Sequence, residues 1–408
     1  MVDERKIPEG YRVTEVGVIP EDWEVFKLGD IIDYTKGFAF KSSDYRKSGV
    51  RIIRVSDTDY DQIKDADEIY IDKSLSHKFK KWKLTEDDII LSTVGSKPPM
   101  YDSMVGKAIK VSLRHEGALL NQNAVKIISK NNKLANQTLI FYNLKTKRYL
   151  TNIEKIFRGN ANQASITLLD LFKFEIPMPK CDKEQKAIAE ALSDTDNLIL
   201  SLEKLIDKKN KIKQGAMQQL LTGKKRLPGF SGEWEVKRLG EVADIRTGKR
   251  NNQDKVSDGL YPFFVRSQDV ERINTYSYDG EAVLVPGEGG IGNIFHYING
   301  KFEVHQRVYK ISDFLNVSGK YVYYYMKQSF GAHAMKNTVK ATVDSLRLPT
   351  FQEFELKIPN NLEEQKAIAQ VLSDMDAEIE ALEEKLKKVK TIKQGMMQEL
   401  LTGRIRLI

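Results

Sequence analysis

The 408 residues are 41% hydrophobic, which is enough for sizeable cores, so the composition excludes wholesale disorder and the length predicts two or three domains. The formal net charge of +8 fits either simple solubility or, as the sharper hypothesis, an anionic partner. No apolar run approaches the ~20 residues of a membrane span, and the start MVDERKIPEG lacks the apolar core of a secretory signal, so we expect a soluble, cytoplasmic protein.

Residues 1–183 form the first predicted globular domain, with 31 basic and 26 acidic residues and hence a net charge of +5. Loop-like stretches in it combine basic residues with amide, hydroxyl and glycine residues: KGFAFKSS, STVGSK and FRGNANQAS. Arginine and lysine can hold phosphates or guanine edges, and asparagine and glutamine can read adenine edges. Each stretch alone is more often an ordinary surface loop, but together they indicate a nucleic-acid-binding surface. Its candidate residues are Lys36, Lys41, Arg54, Lys97, Gln122, Arg158, Asn160 and Gln163.

Residues 184–222 are predicted to form one long helix. Apolar residues recur in this segment with a 4–3 spacing, which makes one narrow seam along a helix, and the segment contains no proline. It carries six basic and six acidic residues, and the following Gly223 suits a helix C-terminus. The polar Thr195 interrupts the seam. The seam residues are Ile188, Leu192, Ile199, Leu202 and Ile206.

Residues 223–361 form the second predicted globular domain, and its first stretch, residues 223–234, is typical of a linker. The domain carries 20 basic and 16 acidic residues, a net charge of +4, and runs such as AVLVP and RVYKIS predict strands. It contains loop-like stretches of the same polar and basic kind as the first domain. Its candidate nucleic-acid-binding residues are Lys249, Arg250, Asn252, Arg266, Gln268, Gln306, Arg307, Lys336, Asn337 and Lys340.

The last segment, residues 362–408, is predicted to be a second long helix that repeats the first. Residues 364–407 match residues 184–227 without a gap and with 26 identities in 44 positions, which indicates an internal duplication. The helices either pack separately, each on its own domain, or pack on each other, and the similar seams favour mutual packing. The second seam consists of Ile368, Leu372, Met375, Ile379, Leu382, Leu386 and Val389.

A weaker repeat relates the two globular domains. WEVFKLGD from Trp23 corresponds to WEVKRLGE from Trp234, and NQNAVKI at 121–127 corresponds to HQRVYKI at 305–311. Between these anchors the two copies diverge almost completely. Similar helices alternating with divergent domains indicate a fixed task for the helices and a variable one for the domains.

Sequence motifs for catalysis, cofactors and metals are not recognisable in the chain. GEGGIG at 287–292 follows a predicted strand, but a dinucleotide site needs a helix after it, and NIFHYING predicts strand and turn. The single cysteine, Cys181, excludes a disulfide framework and a Cys-rich zinc site, and we interpret it as a packing thiol. His305 is interpreted either as a contact or as a structural histidine. We expect no chemistry by this chain, no cofactor and no metal.

The duplicated phrases EQKAIA, LSD and IKQG, with LLTG after them, resemble those of the specificity subunit of Type I restriction–modification systems. The stretches TEVGVIPEDWEVFKLGD and LPTFQEFELKIP are similar to that family too, so the resemblance covers nearly the whole chain. It implies a mixed α+β fold with an internal pseudo-two-fold repeat. In such a fold two α/β target recognition domains, here residues 20–180 and 228–360, are separated by two long, antiparallel, coiled-coil-like helices.

The resemblance also implies the function and the partners. Each recognition domain would bind one half of a split, non-palindromic site in double-stranded DNA, while the helices would set the gap between the halves. The helices would dock two methyltransferase subunits that methylate adenine, and endonuclease or translocase subunits would join that core. We expect Arg158, Lys249 and Lys340 to hold phosphates, and Gln122, Arg266 and Gln306 to meet base edges, on their residue types alone.

Two other classes of protein remain as alternatives. A self-contained modification enzyme would need methyl-donor or nuclease motifs, which we do not recognise in the sequence. A coiled-coil scaffold that binds no DNA would not need a basic excess, and here that excess is confined to the two domains, since the second helical segment carries 8 basic and 9 acidic residues.

Overall fold

The computed structural model describes residues 7–160, 163–337 and 345–407, apart from the side chain of Asn337. It divides into two compact units, Met1–Leu200 with Lys387–Ile408 and Ser201–Leu386, hereafter unit 1 and unit 2. Each unit therefore contains one globular domain and a part of each long helix. Within the described ranges, no helix combines the length and the apolar character needed to cross a membrane.

The domain of unit 1 is built from short strands and short helices. Its strands are β1 (Tyr11–Thr14), β2 (Gly17–Pro20), β3 (Trp23–Lys27), β4 (Ile32–Lys36), β5 (Val50–Ile53), β6 (Ile69–Ile71), β7 (Ile89–Ser92), β8 (Val94–Gly95), β9 (Ala108–Lys110), β10 (Leu119–Leu120), β11 (Ala124–Ser129), β12 (Arg158–Asn160), β13 (Gln163–Ser165) and β14 (Glu175–Pro179). Its α-helices are α1 (Leu28–Ile31), α2 (Gln137–Asn143), α3 (Lys147–Ile156) and α4 (Leu168–Leu171). Short 3-10 helices span Ser42–Asp44, Val55–Asp57, Lys73–Trp82, Tyr101–Ser103 and Leu113–His115.

A four-stranded antiparallel sheet in the order β4-β11-β7-β9 is the centre of this domain. The apolar run at the start of β7 is buried on both faces of the sheet, because Ile89 and Leu91 belong to the main core while Ile90 belongs to a second one. Smaller sheets have the orders β10-β5-β6, β12-β13-β8, β14-β3 and β1-β2.

The first long helix is α5 (Asp182–Leu220), and the domain of unit 2 follows it. The strands of that domain are β15 (Trp234–Arg238), β16 (Asp244–Thr247), β17 (Tyr261–Phe264), β18 (Glu271–Ile273), β19 (Tyr278–Pro286), β20 (His296–Val304), β21 (Val308–Ser312) and β22 (Glu355–Pro359). Its helices are α6 (Leu239–Val242), the 3-10 helix Asn252–Asp254, α7 (Gly319–Asn337) and α8 (Leu348–Gln352), and the second long helix is α9 (Leu362–Leu400).

A six-stranded sheet in the order β16-β21-β19-β20-β17-β18 forms the centre of the second domain, and β15 pairs with β22 beside it. The glycine-rich segment 287–292 lies between the antiparallel strands β19 and β20. The prediction that strand and turn follow this segment, rather than the helix of a dinucleotide site, is confirmed.

The two long helices have 39 residues each, or about 58 Å at ~1.5 Å per residue. The first helix begins two residues before the predicted start at 184 and ends two residues before the predicted end at 222. The second ends at Leu400, eight residues before the predicted end at 408. Both helices end three residues before a glycine with a positive φ, +73° at Gly223 and +70° at Gly403, where the chain leaves the helical path.

The long helices pack antiparallel in both units. In unit 1, Asp196 near the start of α5 pairs with Lys393 near the end of α9 at 2.5 Å. In unit 2, Lys213 near the end of α5 pairs with Asp376 near the start of α9. Unit 1 also has a contact between Thr195 and Met396 at 3.5 Å, and unit 2 has one between Lys209 and Glu378 at 2.5 Å. Within each unit the contacts thus rise along one helix and fall along the other, which requires opposite directions, so the prediction of mutual packing is confirmed.

The predicted seam residues are all at least partly buried. The seam is deepest at the start of each helix, where Ile188 and Leu192 join the core of the first domain and Ile368 and Leu372 join that of the second. The polar Thr195 is accommodated because its hydroxyl donates to the carbonyl oxygen of Ala191 at 2.8 Å. The fully buried members are Ile188, Leu192, Leu202, Ile368, Leu372 and Ile379, and the partly buried ones are Ile199, Ile206, Met375, Leu382, Leu386 and Val389.

The repeated Glu-Gln pair attaches the start of each helix to the strand before it. Gln185 and Gln365 are fully buried, and each donates from its side-chain amide at 2.8 Å to a carbonyl oxygen of the strand that precedes its helix, at Pro179 and Pro359. The amide oxygen of Gln185 also accepts from the backbone of Asn136 at 2.7 Å. These bonds fix each helix to its own domain.

The buried carboxylates before these glutamines are each paired with an arginine that follows the other helix. Arg406 donates to Glu184 at 2.5 and 2.8 Å, and Arg226 donates to Glu364 at 2.5 Å twice. The stretch 223–234, predicted as a linker, is therefore anchored to the start of α9. The interpretation of Cys181 as a packing thiol is wrong, because this side chain is exposed.

We expect Arg406→Met to destabilise unit 1 by about 3 kcal/mol, because the buried carboxylate of Glu184 loses its partner. Urea unfolding followed by tryptophan fluorescence measures this effect, since the buried Trp23 lies under the guanidinium group at 6.0 Å. As a control, Arg404→Met removes an exposed arginine 3.6 Å from Glu399 and should cost less than about 0.5 kcal/mol. Equal effects of the two substitutions would contradict the assignment.

Candidate nucleic-acid interface

In unit 1, backbone hydrogen bonds gather several of the predicted polar stretches at one end of the central sheet. The amide of Gly37 donates to the carbonyl oxygen of Ala124, and the amide of Gln122 donates to that of Phe38, both at 2.9 Å. The amide of Asn121 donates to Ile53 at 2.9 Å, which places the turn before β11 beside the end of β5. Three stretches that are distant in sequence thus meet at the ends of β4, β5 and β10.

The same network extends to β8 and β13. The amide of Thr93 donates to the carbonyl oxygen of Asn123 at 2.8 Å, and the amide of Ile166 donates to that of Thr93 at 3.1 Å. The strands β12, β13 and β8 pair side by side. We call the joined stretches the strand-end surface of unit 1: residues 36–41, 54, 93–97, 121–123, 158–160 and 163–165.

Unit 2 repeats this network. The amide of Gly248 donates to the carbonyl oxygen of Val308 at 3.3 Å, and the amide of Gln306 donates to that of Arg250 at 2.9 Å. Three further backbone amides donate to carbonyl oxygens: that of His305 to Phe264 at 3.0 Å, that of Gly287 to Arg307 at 2.9 Å and that of Leu346 to Gly287 at 2.8 Å. We call residues 247–252, 265–268, 287–288 and 305–307 the strand-end surface of unit 2.

The shared network makes Gln122 equivalent to Gln306, and both side chains are exposed at the tip of the same turn. It also explains one glycine in each domain. A Cβ atom would lie 1.8 Å from the carbonyl oxygen of Asn121 if placed on Gly37, and 1.9 Å from that of Val304 if placed on Gly248. Only glycine lets the two backbones approach this closely.

The structure places most of the sequence-predicted residues on these two surfaces with exposed side chains. Arg54 is half-buried, Lys340 and the side chain of Asn337 lie outside the described residues, and Lys336 is exposed in the last turn of α7 instead. The exposed residues on the surfaces are Lys36, Lys41, Lys97, Gln122, Arg158, Asn160, Gln163, Lys249, Arg250, Asn252, Arg266, Gln268, Gln306 and Arg307.

Several of the arginines are held by acidic neighbours. Arg54 donates to the buried Asp57 at 2.7 Å and to the carbonyl oxygen of Asp67 at 2.7 Å, so its guanidinium group mainly fixes its own loop. The hydrogen bond to Asp57 raises the pKa of Arg54. Arg158 pairs with Asp170 at 3.0 Å, but its side chain is 68% exposed, which leaves much of its guanidinium group accessible.

Glu288 joins two of the predicted residues in unit 2. One of its carboxylate oxygens accepts from Arg266 at 3.2 Å and the other accepts from Arg307 at 3.0 Å. The neighbouring His305 is buried and accepts from the backbone amide of Arg307 at 3.0 Å through Nδ1. Burial, followed by the two arginines, lowers the pKa of His305, so this residue is a neutral structural histidine.

A basic 3-10 segment beside the surface of unit 1 was missed by sequence reasoning. Lys73–Trp82 follows Asp72, and the indole of Trp82 donates to the carbonyl oxygen of Lys36 at 2.9 Å. Its aromatic rings pack against Phe38 at 4.6 and 5.1 Å. KSLSHKFKKWK, with five lysines and no acidic residue, was the available signal. The five lysines are exposed and form no ion pair with any described residue: Lys73, Lys78, Lys80, Lys81 and Lys83.

Comparisons with known proteins identify the family to which the chain is similar. The family model for the Type I restriction modification DNA specificity domain matches residues 20–214 and 231–391, so it matches the chain twice. The Type I restriction enzyme MjaVIII specificity subunit of Methanocaldococcus jannaschii is 28% identical over 431 residues, with 95% of this chain and 94% of that protein covered.

Solved structures show the same fold. The crystal structure of the Type-I restriction-modification system S subunit from M. genitalium matches with a TM-score of 0.68 at 16% identity, covering 93% of this chain and 96% of that one. A chain from a study of complex assembly and conformational transition of the type I R-M system matches with a TM-score of 0.52 at 16% identity, covering 95% and 99%.

The matched family defines a role. Specificity subunits are the non-catalytic components of restriction–modification systems, and their role implies recognition of a DNA sequence. The two matched regions together span most of the 408 residues, and the two repeated halves seen in the fold coincide with them. This chain therefore belongs to the family of Type I restriction–modification DNA specificity subunits.

Proposed function

We propose that each globular domain reads one half of a split, non-palindromic site in double-stranded DNA through its strand-end surface. The observation that carries the proposal is the recurrence of the same backbone network in both units, with Gln122 and Gln306 exposed at equivalent turns. A glutamine side chain can bond both edge atoms of adenine in the major groove. Around this shared turn the side chains differ, so the two domains would read different sequences.

Phosphate contacts would come from Arg158, Lys249 and the other lysines around these turns. On the surface of unit 1, the exposed segment Lys73–Trp82 adds unpaired positive charge next to Lys36. Such charge attracts the DNA backbone without regard to sequence and positions the duplex for base reading. A domain that has both amides and cations at one edge could use the amides to read bases and the cations to bind phosphates.

We propose further that the long helices set the number of base pairs between the half-sites. Both helices continue unbroken from one unit into the other, with α5 crossing the boundary at residues 200–201 and α9 at 386–387. A continuous helix has a fixed rise of ~1.5 Å per residue, so its length is a constant of the molecule. Duplex DNA rises ~3.4 Å per base pair, which makes the two lengths directly comparable.

The helices would also dock two methyltransferase subunits, which would methylate adenine within the site and support restriction by further subunits. Ile212 and Ile392 occupy equivalent positions in the repeated IKQG phrase, and they are 46% and 56% exposed. Exposed apolar side chains that recur at the same place in a duplication suit a partner that binds twice.

Exchanging one domain should change one half of the recognised site. We expect a chain whose residues 24–176 come from a relative to direct methylation to a site with one new half and one unchanged half, because each surface is built within its own domain. Methylation mapping of a genome that expresses the chimera with its methyltransferase measures this result. A change in both halves would show that the domains do not read independently, and the proposed function would fail.

Lengthening both helices should lengthen the gap in the site. Inserting four helical residues after Lys204 and four after the equivalent Glu384 adds about 6 Å, so we expect one or two additional base pairs between unchanged half-sites. The insertion in α5 alone is the control, and it should impair activity because the paired helices then differ in length. An unchanged gap with full activity in the double insertion would contradict the role of the helices.

Removing the apolar contact at one repeat should remove one partner. We expect Ile212→Asp or Ile392→Asp to lower the number of bound methyltransferase subunits from two to one, because each substitution charges one of two equivalent patches. Native mass spectrometry of the assembled complex gives the stoichiometry. Leu260→Asp serves as the control, since that side chain is 70% exposed in the second domain, and two subunits should remain bound. Two bound subunits in every variant would exclude these patches.

A further inference from the structure

Glu288 occupies a special position on the strand-end surface of unit 2. It lies two residues after the end of β19, and its backbone forms an isolated antiparallel bridge with Ser345. The amide of the preceding Gly287 donates to the carbonyl oxygen of Arg307, which fixes the end of β19 beside the start of β21. Backbone hydrogen bonds thus hold the segment that carries this carboxylate in place.

The carboxylate of Glu288 divides its two oxygens between two arginines. Oε2 accepts from Nη1 of Arg266 at 3.2 Å, and Oε1 accepts from Nη1 of Arg307 at 3.0 Å. The Glu288 side chain is 23% exposed, whereas the two arginine side chains are 50% and 58% exposed. The acid is therefore less exposed than either arginine, and half or more of each arginine side chain is accessible.

This arrangement leaves one edge of each guanidinium group open. Arg266 and Arg307 each use only Nη1 on the carboxylate, and Nε and Nη2 make no hydrogen bond to a described residue. The edge formed by Nε and Nη2 is the kind of fork that bonds O6 and N7 of guanine in the major groove. Two such forks at fixed positions can select guanine, whereas two freely rotating ones mainly attract phosphate.

The negative charge is also needed to hold the arginines together. Two guanidinium groups that contact one carboxylate lie close to each other and repel, and the carboxylate offsets that repulsion. Without the charge, the arginines would separate and their orientation would be lost. The net charge of the group is +1 with Glu288 and +2 without it.

We propose that Glu288 is a specificity-positioning residue that orients Arg266 and Arg307 to read G·C base pairs in the half-site of the second domain. This inference rests on the proposed function, and it adds the identity of a base pair. The equivalent position in unit 1 is Val94, because Val94 pairs with Ser165 as Glu288 pairs with Ser345. The first domain lacks the carboxylate at this point, so its half-site is an internal control.

The test uses Glu288→Gln in the full chain with its methyltransferase subunits. Binding is measured to the wild-type site, to sites with each G·C pair replaced by A·T, and to a random duplex. We expect discrimination at one or two G·C pairs in the second domain's half-site to fall by at least about fivefold, while every position in the other half stays as selective as before. Affinity for the random duplex should rise, because one negative charge is removed.

Two further variants separate positioning from charge and from stability. Glu271→Gln removes a carboxylate that pairs with Lys255 at 3.0 Å in the same domain, and it should leave base discrimination unchanged. Arg307→Lys keeps the charge but removes the fork, and it should relax a G·C pair without changing affinity for the random duplex. A purely structural role for Glu288 would instead weaken binding to all duplexes together and lower the melting temperature.

The outcomes distinguish this inference from the function on which it rests. A split methylation site with full G·C discrimination in Glu288→Gln would overturn the inference alone. So would a second-domain half-site that contains no G·C pair. A wild-type complex that methylates no split site would overturn the proposed function, and this inference with it.

Discussion

Two buried carboxylates, Glu184 in unit 1 and Glu364 in unit 2, each fix the start of one long helix to the segment that follows the other helix. Each lies at the start of one long helix, and each receives two hydrogen bonds from the arginine that follows the other helix. Removing either arginine would leave a buried carboxylate without compensation, so each helix start depends on the segment that follows the other helix. The antiparallel packing within each unit agrees with this pairing, because a carboxylate at the start of one helix meets the arginine that follows the end of the other.

The two long helices are similar in sequence, whereas the two domains attached to them differ widely. Their central sheets have four and six strands, yet both end in the same set of backbone hydrogen bonds. Backbone bonds do not depend on side-chain identity, which is why the shared network tolerates divergent sequences. The exceptions are Gly37 and Gly248, where a side chain would collide with the opposite backbone. The surface can thus change its side chains while keeping its geometry.

The helices could be predicted from the sequence because a 4–3 seam is a local pattern, and its interruption at Thr195 has a local explanation. The segment assigned to the second helix runs to residue 408 because the repeated phrase continues to residue 407, whereas the backbone turns at Gly403. The polar stretches could be selected by composition, but their grouping depends on hydrogen bonds between residues far apart in sequence, such as Asn121 and Ile53.

Two features of the candidate surface escaped prediction for physical reasons. Cations and amides are the sequence pattern of a nucleic-acid-binding surface and an acid is not, so the sequence gives no signal for Glu288, although it pairs with two of the predicted arginines. The lysines of Lys73–Trp82 lie on a 3-10 helix, which has no strong sequence pattern, and their position next to Lys36 depends on the indole hydrogen bond of Trp82.

The division of the chain into units has a consequence for its synthesis. Unit 2 is continuous in sequence from Ser201 to Leu386, whereas unit 1 combines Met1–Leu200 with Lys387–Ile408. A ribosome therefore delivers every part of the second unit before it delivers the last segment of the first. Glu184 pairs with Arg406, which is synthesised 222 residues later. The domain that is translated first is therefore the one whose assembly is completed last.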